Sequence, residues 1–235
     1  MQFSDSSSEA SQPLITWQKI ADWAKVHYRE RLFDKDEAIP VREGLLYLVG
    51  QGAVRLMGQT QVSLPQENET PSNSIDEELE SDNLGEAFLG FVSSGQPFEI
   101  VAESFCYLQA YAHVENTQVI WLYWRDLENW PRFRKEVYEA LRYQHQRKLL
   151  WLSALGQRKT IDRLIAFLTL LIKEYGEPCE EGYCLPYVLT HAQIGSTIGS
   201  TRVTVTRLMG KLRRGGAIII RHDNLICLPK KDEQS

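Results

Sequence analysis

Residues 189–212 read LTHAQIGSTIGSTRVTVTRLMGKL, and the reading of this stretch decides the fold. Thr190 stands where a helix needs an N-cap. Gln193, three positions on, completes a capping box in which the two side chains satisfy free backbone N–H groups reciprocally. Ala192, Ile194 and Ile198 follow at helical spacing and give that helix one apolar face. Gly199 falls where the chain must bend, and Ser200 and Thr201 offer hydroxyls to cap a second helix. On the second helix Arg202, Thr204, Thr206 and Arg207 point outward, while Val205, Leu208, Met209 and Leu212 pack inward. A short helix carrying arginine and hydroxyl groups near its N-terminal end suits base edges and phosphates in a major groove.

An ordinary amphipathic helical hairpin with a solvated polar face has the same spacing. The following segment separates the two. Gly215 and Gly216 stop the helix, and residues 217–221 and 225–228 are β-rich runs joined by Asp223-Asn224, which is good hairpin-turn chemistry. Helix, turn, helix, hairpin is the order of a winged helix-turn-helix.

Charge is distributed to match. The chain has 235 residues and a net charge of -5, an unpromising balance for a nucleic-acid partner until it is located. Residues 189–230 hold seven basic side chains (Arg202, Arg207, Lys211, Arg213, Arg214, Arg221 and Lys230) against Asp223 alone. That local surplus supplies the phosphate attraction on which non-specific affinity rests. Acidity collects in residues 66–83, QENETPSNSIDEELESDN, with seven acids and no base, which reads as a solvated loop.

Upstream, residues 1–12 are serine-rich and lack apolar periodicity. Residues 14–32 carry Leu14, Trp17, Ile20, Ala21, Ala24 and Tyr28 at helical spacing and predict a leading helix. From Phe33 onward the pattern turns to short β-like runs, with LLYLVGQGAVRLMG placing Gly50 and Gly52 between two apolar strands. Further runs at 87–92, 98–106, 108–113 and 119–123 complete a small β-structure. Pro131 opens a long helix through Leu155 whose apolar positions are Phe133, Val137, Ala140, Leu141, Trp151, Leu152 and Leu155, interrupted by Gln144, His145 and Lys148. A seam on so long a helix calls for a partner. The expected fold class is α+β.

Several classes are excluded. There is no run of about eighteen apolar residues and no basic, apolar signal at the start, so a cytoplasmic protein with no membrane contact is expected. No nucleophile–base cluster or phosphate loop is present and the five histidines are scattered, so no enzyme is expected. Of four cysteines only Cys179 and Cys184 are close, in a loop-like EPCEEGYC segment. Neither a second pair nor a nearby histidine completes a zinc site, and no metal or cofactor is expected.

The run IGSTRVTVTRLMGKLR, behind a threonine-capped helix, resembles the DNA-binding domain of the Crp/Fnr transcription regulators, most of all the branch of the cyanobacterial nitrogen-control regulator. The resemblance extends through RKTIDRLIAFLTLLIKEYGEP (158–178) and, more weakly, to residue 45, where LLYLVGQGAVRLMG matches the family's β-roll signature. It implies a tail and leading helix (1–30), a cyclic-nucleotide-binding-like β-roll (31–124), a dimerisation helix (125–157) and a winged helix-turn-helix (158–235). It further implies a homodimer on an inverted repeat of double-stranded DNA, with RNA polymerase as a further partner.

Carried over residue by residue, Arg202 is the leading base-reading arginine and Arg207 a second that reaches base or phosphate. Cyclic-AMP-responsive members have glutamate after the first arginine. Here Val203 offers methyl groups to thymine, implying a GTA-like half-site. Ser200, Thr201, Thr204 and Thr206 are assigned phosphate or water-mediated contacts, with Lys211 and Arg213 on the backbone. The sensor departs from the family. Phe91 follows Gly90 where cyclic-nucleotide binders have an acid, and no arginine lies between Phe98 and Ile120, so a buried phosphodiester would lack a cation. The two arginines and the glutamate with which the nitrogen-control branch holds 2-oxoglutarate align with Cys106, Gln144 and Leu149, leaving the effector unknown. Arg142 or Arg147 could substitute for a lost arginine only under a shifted helix register. The aromatic residues Trp121, Tyr123, Trp124 and Trp151 suggest a filled or apolar pocket. The alternative to a DNA reader is a ligand-sensing or protein-interaction module with a helix-turn-helix remnant that does not bind DNA.

Overall fold

The computed structural model describes residues 17–40, 42–60, 86–100 and 106–230; the acidic 66–83 segment lies outside them. The leading helix is shorter than its apolar spacing predicts. Helix α1 (Trp17–Val26) is closed by a C-terminal motif in which Tyr28 adopts φ 54°. Tyr28 N–H donates to Lys25 O and Arg29 N–H to Ala24 O, satisfying carbonyls that a continuing helix would have used. The chain released there forms strand β1 (Glu30–Phe33), which the sequence pattern had absorbed into the helix.

Among the described residues eight strands make a β-roll of two antiparallel sheets. The added strands are β2 (Ala38–Ile39), β3 (Leu45–Gln51), β4 (Ala53–Thr60), β5 (Glu86–Ser93), β6 (Pro97–Phe98), β7 (Cys106–Ala112) and β8 (Thr117–Tyr123). Their orders are β1-β8-β3-β6 and β2-β7-β4-β5. Of residues 98–106, expected as one strand, Phe98 ends β6 and Cys106 begins β7, and residues 101–105 lie outside the described residues. Strand β3 shows why LLYLVGQ is apolar at every early position. Side chains alternate across a strand, so Leu45, Tyr47 and Val49 enter the roll while Leu46 and Leu48 face the helices on its outside. Both faces are covered, and no polar alternation is needed.

A 3₁₀ turn (Trp124–Asn129) leads into helix α2 (Pro131–Leu155), with proline at its first turn. Phe133 and Val137 pack with Ile20, Ala24 and Leu127 on the outer face of the first sheet. Trp151 is buried elsewhere, against Phe88, Phe91 and Phe167. Leu152 is 65 % exposed. The apolar positions read as one seam therefore fall on different faces of α2.

Helix α3 (Thr160–Tyr175) enters the C-terminal domain, followed by β9 (Glu177–Cys179), β10 (Gly182–Cys184), α4 (His191–Ile198), α5 (Arg202–Arg214), β11 (Ile219–Ile220) and β12 (Ile226–Pro229). The four strands form one sheet in the order β11-β12-β10-β9. EPCEEGYC, expected as a loop, is thus a hairpin. Gly182 (φ 145°) permits it, since a Cβ there would lie 2.1 Å from Leu228 O.

The two domains share a core. Met57, Phe88 and Phe91 of the roll cluster with Leu164, Phe167, Leu168, Ile194 and Ile198. A register shift between Leu56 and Met57 makes a β-bulge opposite Leu89, and Gly90 there has φ 124°. Three neighbouring carbonyls of β5 serve three helices. Phe88 O accepts from Thr197 Oγ1 (3.1 Å), Leu89 O from Lys148 Nζ, and Phe91 O from Tyr175 OH (2.6 Å). Burial lowers the pKa of Lys148.

Candidate nucleic-acid interface

Helices α4 and α5 are built by the local signals in their sequence. Thr190 Oγ1 accepts from Gln193 N–H at 3.1 Å, and Gln193 Oε1 accepts from Thr190 N–H at 2.9 Å. Gly199 takes the left-handed conformation (φ 62°, ψ 55°), ending α4. Of the two candidate caps for α5, Thr201 is the one used, accepting from Thr204 N–H at 3.2 Å. A glycine whose need comes from packing lies one turn earlier. A Cβ on Gly195 would sit 2.7 Å from Ser200 O, so only glycine lets α4 approach the turn so closely. That packing requirement joins residues across the bend and has no signature in the apolar spacing.

Val205, Met209 and Leu212 are buried and Leu208 is half-buried, fixing which side of α5 faces out. Arg202, Arg207, Lys211 and Arg213 are all exposed, and no ion pair among the described residues neutralises them. Val203 stands 77 % exposed between them, an unfavourable place for an isopropyl group in water. The hydroxyls are more occupied than the sequence suggests. Thr206 Oγ1 donates to Arg202 O (2.9 Å) and lies 2.8 Å from His191 Nδ1, and Thr201 and Thr204 pair through their Oγ1 atoms at 3.1 Å. Ser200 is half-buried, its N–H donating to Gly195 O. His191, at the start of α4, thus ties α4 to α5.

The wing follows. Strands β11 and β12 pair Ile219 with Cys227 and Ile220 with Ile226. Asn224 (φ 63°) closes the turn, with Asn224 N–H donating to Arg221 O and Leu225 N–H to Asp223 Oδ1. Arg221 pairs with Asp223 at 3.2 Å, which leaves the turn electrically neutral and concentrates net positive charge on α5.

The helix seen as dimerisation helix is also resolved residue by residue. Gln144 Nε2 donates to Pro97 O at 2.9 Å, so the place of a ligand-binding arginine is taken by a bond between α2 and the roll. Arg147, considered as a substitute, faces the other way. Its guanidinium meets Glu174 (3.3 Å) and Leu170 O (3.0 Å) on α3. Arg142 is exposed. The four aromatic residues expected around one pocket are dispersed. Trp151 is in the shared core, Trp124 stacks on Tyr138 with centroids 6.1 Å apart, and Tyr123 lies at the surface under Arg29 and Arg125. Trp121 lines a cavity of about 180 Å³ with Arg31, Phe33 and Tyr47.

The architecture defines a winged helix-turn-helix protein with a β-roll in front of it. Residues 162–233 match the Crp-like helix-turn-helix domain. A global nitrogen regulator of Nostoc sp. is 42% identical over 81 residues, 34% of this chain and 36% of the relative. That of Synechocystis sp. is 42% identical over 71 residues, 30% and 32% of the two chains. The chain spans about a third of the length of these curated relatives. Over nearly the whole chain the fold is that of a CooA mutant from Carboxydothermus hydrogenoformans (TM-score 0.64, 19% identity, 93% and 92% covered). A cyclic nucleotide-binding domain containing protein from Listeria monocytogenes is similar in fold (TM-score 0.67, 13% identity, 92% and 98% covered). Residues 162–233 are thus a Crp-like helix-turn-helix domain, and the fold of the whole chain is the one shared by these solved structures. Among the described residues no helix is long and apolar enough to cross a membrane.

Proposed function

We propose that the protein is a sequence-specific DNA-binding transcription regulator whose α5 enters the major groove. The observation that carries this reading is the exposed, unneutralised row Arg202, Arg207, Lys211 and Arg213 on a helix pinned from behind by Val205, Met209 and Leu212. A remnant without a DNA role has no reason to keep four free cations and an exposed valine on one face. The names of its relatives, global nitrogen regulators, agree. Arg202 reads guanine and Val203 contacts a thymine methyl, giving a GTA-like half-site. Arg207, Lys211 and Arg213, with Ser200 and the threonines, position the helix on the backbone.

The functional unit is a homodimer joined along α2 on an inverted repeat. Exposed positions Tyr138, Arg142, His145, Leu149 and Leu152 alternate in steps of four and three, the spacing of a coiled-coil seam. The polar middle fixes register at some cost in stability. The sensor does not bind cyclic nucleotide; what supports this is Phe91 after Gly90 in place of an acid, and a sequence without arginine between Phe98 and Ile120.

A mobility-shift titration across salt tests the reading. Affinity for a GTA-containing inverted repeat should fall steeply with salt, as counterion release requires. Salt-insensitive binding, or equal affinity for GTA and GTGA half-sites, would count against it. Leu149→Asp with Leu152→Asp should yield monomers by light scattering and lose the two-site complex.

A further inference from the structure

The hairpin β9–β10 and the wing strand β12 bring three cysteines to one point. Cys184 is paired across the ladder with Cys227, and Cys179 stands at the end of β9 beside them. The three Sγ atoms all lie within 4.8 Å of one another. One sulfur can hold one disulfide at a time, so a disulfide always leaves the third cysteine unused. A metal ion employs all three at once.

We propose that Cys179, Cys184 and Cys227 form a three-thiolate site for copper(I). An ion with metal–sulfur bonds of about 2.3 Å in a plane holds its three sulfurs about 4 Å apart, which falls inside the 4.8 Å span of this cluster. Thiolates select soft ions. Zinc wants four ligands, and among the described residues no further cysteine, histidine or carboxylate joins the group. Copper(I) is satisfied by three. Cys184 and Cys227 are buried and Cys179 is half-buried, so the ion has one way in and is then shielded from water. Burial also discourages free thiolates here, so the protons leave only as the cation arrives. The strands that carry the sulfurs are held by backbone pairing, so the site needs little ordering on binding. Bound copper would fasten the β9–β10 hairpin to the wing.

The test uses the full-length, reduced chain under anaerobic conditions, titrated with copper(I) against a chromogenic copper(I) chelator. One copper per chain is expected, with a thiolate-to-copper charge-transfer band and with three of the four thiols protected from a thiol reagent. Cys106→Ser should change nothing. Cys179→Ser, Cys184→Ser and Cys227→Ser should each weaken binding by more than roughly 100-fold, beyond the loss that an outer-shell change causes. Cys179 is partly exposed, so its variant keeps the test valid if the buried ones fail to fold, as circular dichroism will show. Zinc in a parallel titration should bind more weakly than copper. The proposal is overturned if wild-type affinity survives in the folded Cys179→Ser variant, or if zinc binds tightly and copper does not. It is equally overturned if the reduced chain binds neither ion and mild oxidation merely yields a single disulfide.

Discussion

The ion pair between Arg147 on α2 and Glu174 on α3 gives a sharp test of how the long helix holds the C-terminal domain. Their side chains are only 15 % and 11 % exposed, and the Nε–Oε2 distance is 3.3 Å. At an effective dielectric of about 20 the gross attraction is roughly 5 kcal/mol, most of which offsets desolvation of the two charges. The pair as a whole therefore adds little, whereas removing one member leaves the other buried without its partner. Arg147→Met should cost about 3–5 kcal/mol, a figure that includes the bond to Leu170 O. Glu174→Leu should cost a comparable amount by stranding the guanidinium. The double variant should be well short of the sum, with a coupling of at least about 3 kcal/mol. In a chain of this size each kcal/mol lowers Tm by about 2–4 °C, so the single variants should melt roughly 6–20 °C early. Urea unfolding of the four proteins, followed by tryptophan fluorescence, measures the cycle. Additivity within about 0.5 kcal/mol would refute the reasoning, because the pair would then behave as a solvated surface contact.

Other outcomes follow from single positions. His113 lies between the domains against Phe91 and Tyr187, and burial, aided by the Arg55 and Lys35 charges, lowers its pKa from 6.5 to about 4. The folded state resists the proton, so this stability is complete above pH 6.5 and is lost as the pH falls toward 4. About 2 kcal/mol should be gone at pH 5, and His113→Phe should flatten that part of the stability–pH curve. An unchanged slope would acquit His113. Gly195→Ala puts a methyl group against Ser200 O, so α5 must tilt. The domain should lose about 1–3 kcal/mol, and DNA affinity should drop further than thermal stability alone explains. Arg202→Ala should cost about 1–3 kcal/mol and relax discrimination at the guanine, whereas Lys211→Ala should weaken all sequences alike and reduce the salt slope. Identical behaviour of the two variants in a binding-site selection would refute the division of roles.

Legibility in the sequence followed the range of the interaction. The Thr190–Gln193 box, the Gly199 bend, the Thr201 cap and the Asp223-Asn224 turn are settled within four residues, and each appears as read. Strand β10 was missed because one of its two partners, β12, lies some forty residues on, and the three residues Gly182 to Cys184 are too few to show alternation. The cysteine cluster is invisible for the same reason, since Cys227 joins Cys179 and Cys184 only once that sheet closes. The faces of α2 were merged because apolar spacing reports that a residue packs, not on what. Trp151, Phe133 and Leu152 meet three different environments at nearly the same period. Arg147 could not be separated from a ligand-binding arginine until Glu174 was placed beside it.

The pairing of β10 with β12 also governs the order in which the reader can be made. The strands bracket α4 and α5 as the two sides of a neck bracket a flask, with Cys184 and Cys227 facing each other 43 residues apart. Closing so long a loop costs conformational entropy that is recovered only when both sides of the neck are present. The caps can start α4 and α5 early, but their shared orientation waits for residues 226–229. A nascent chain whose synthesis halts at the 222–224 turn would therefore carry every base-facing side chain and still have no rigid reader to present them.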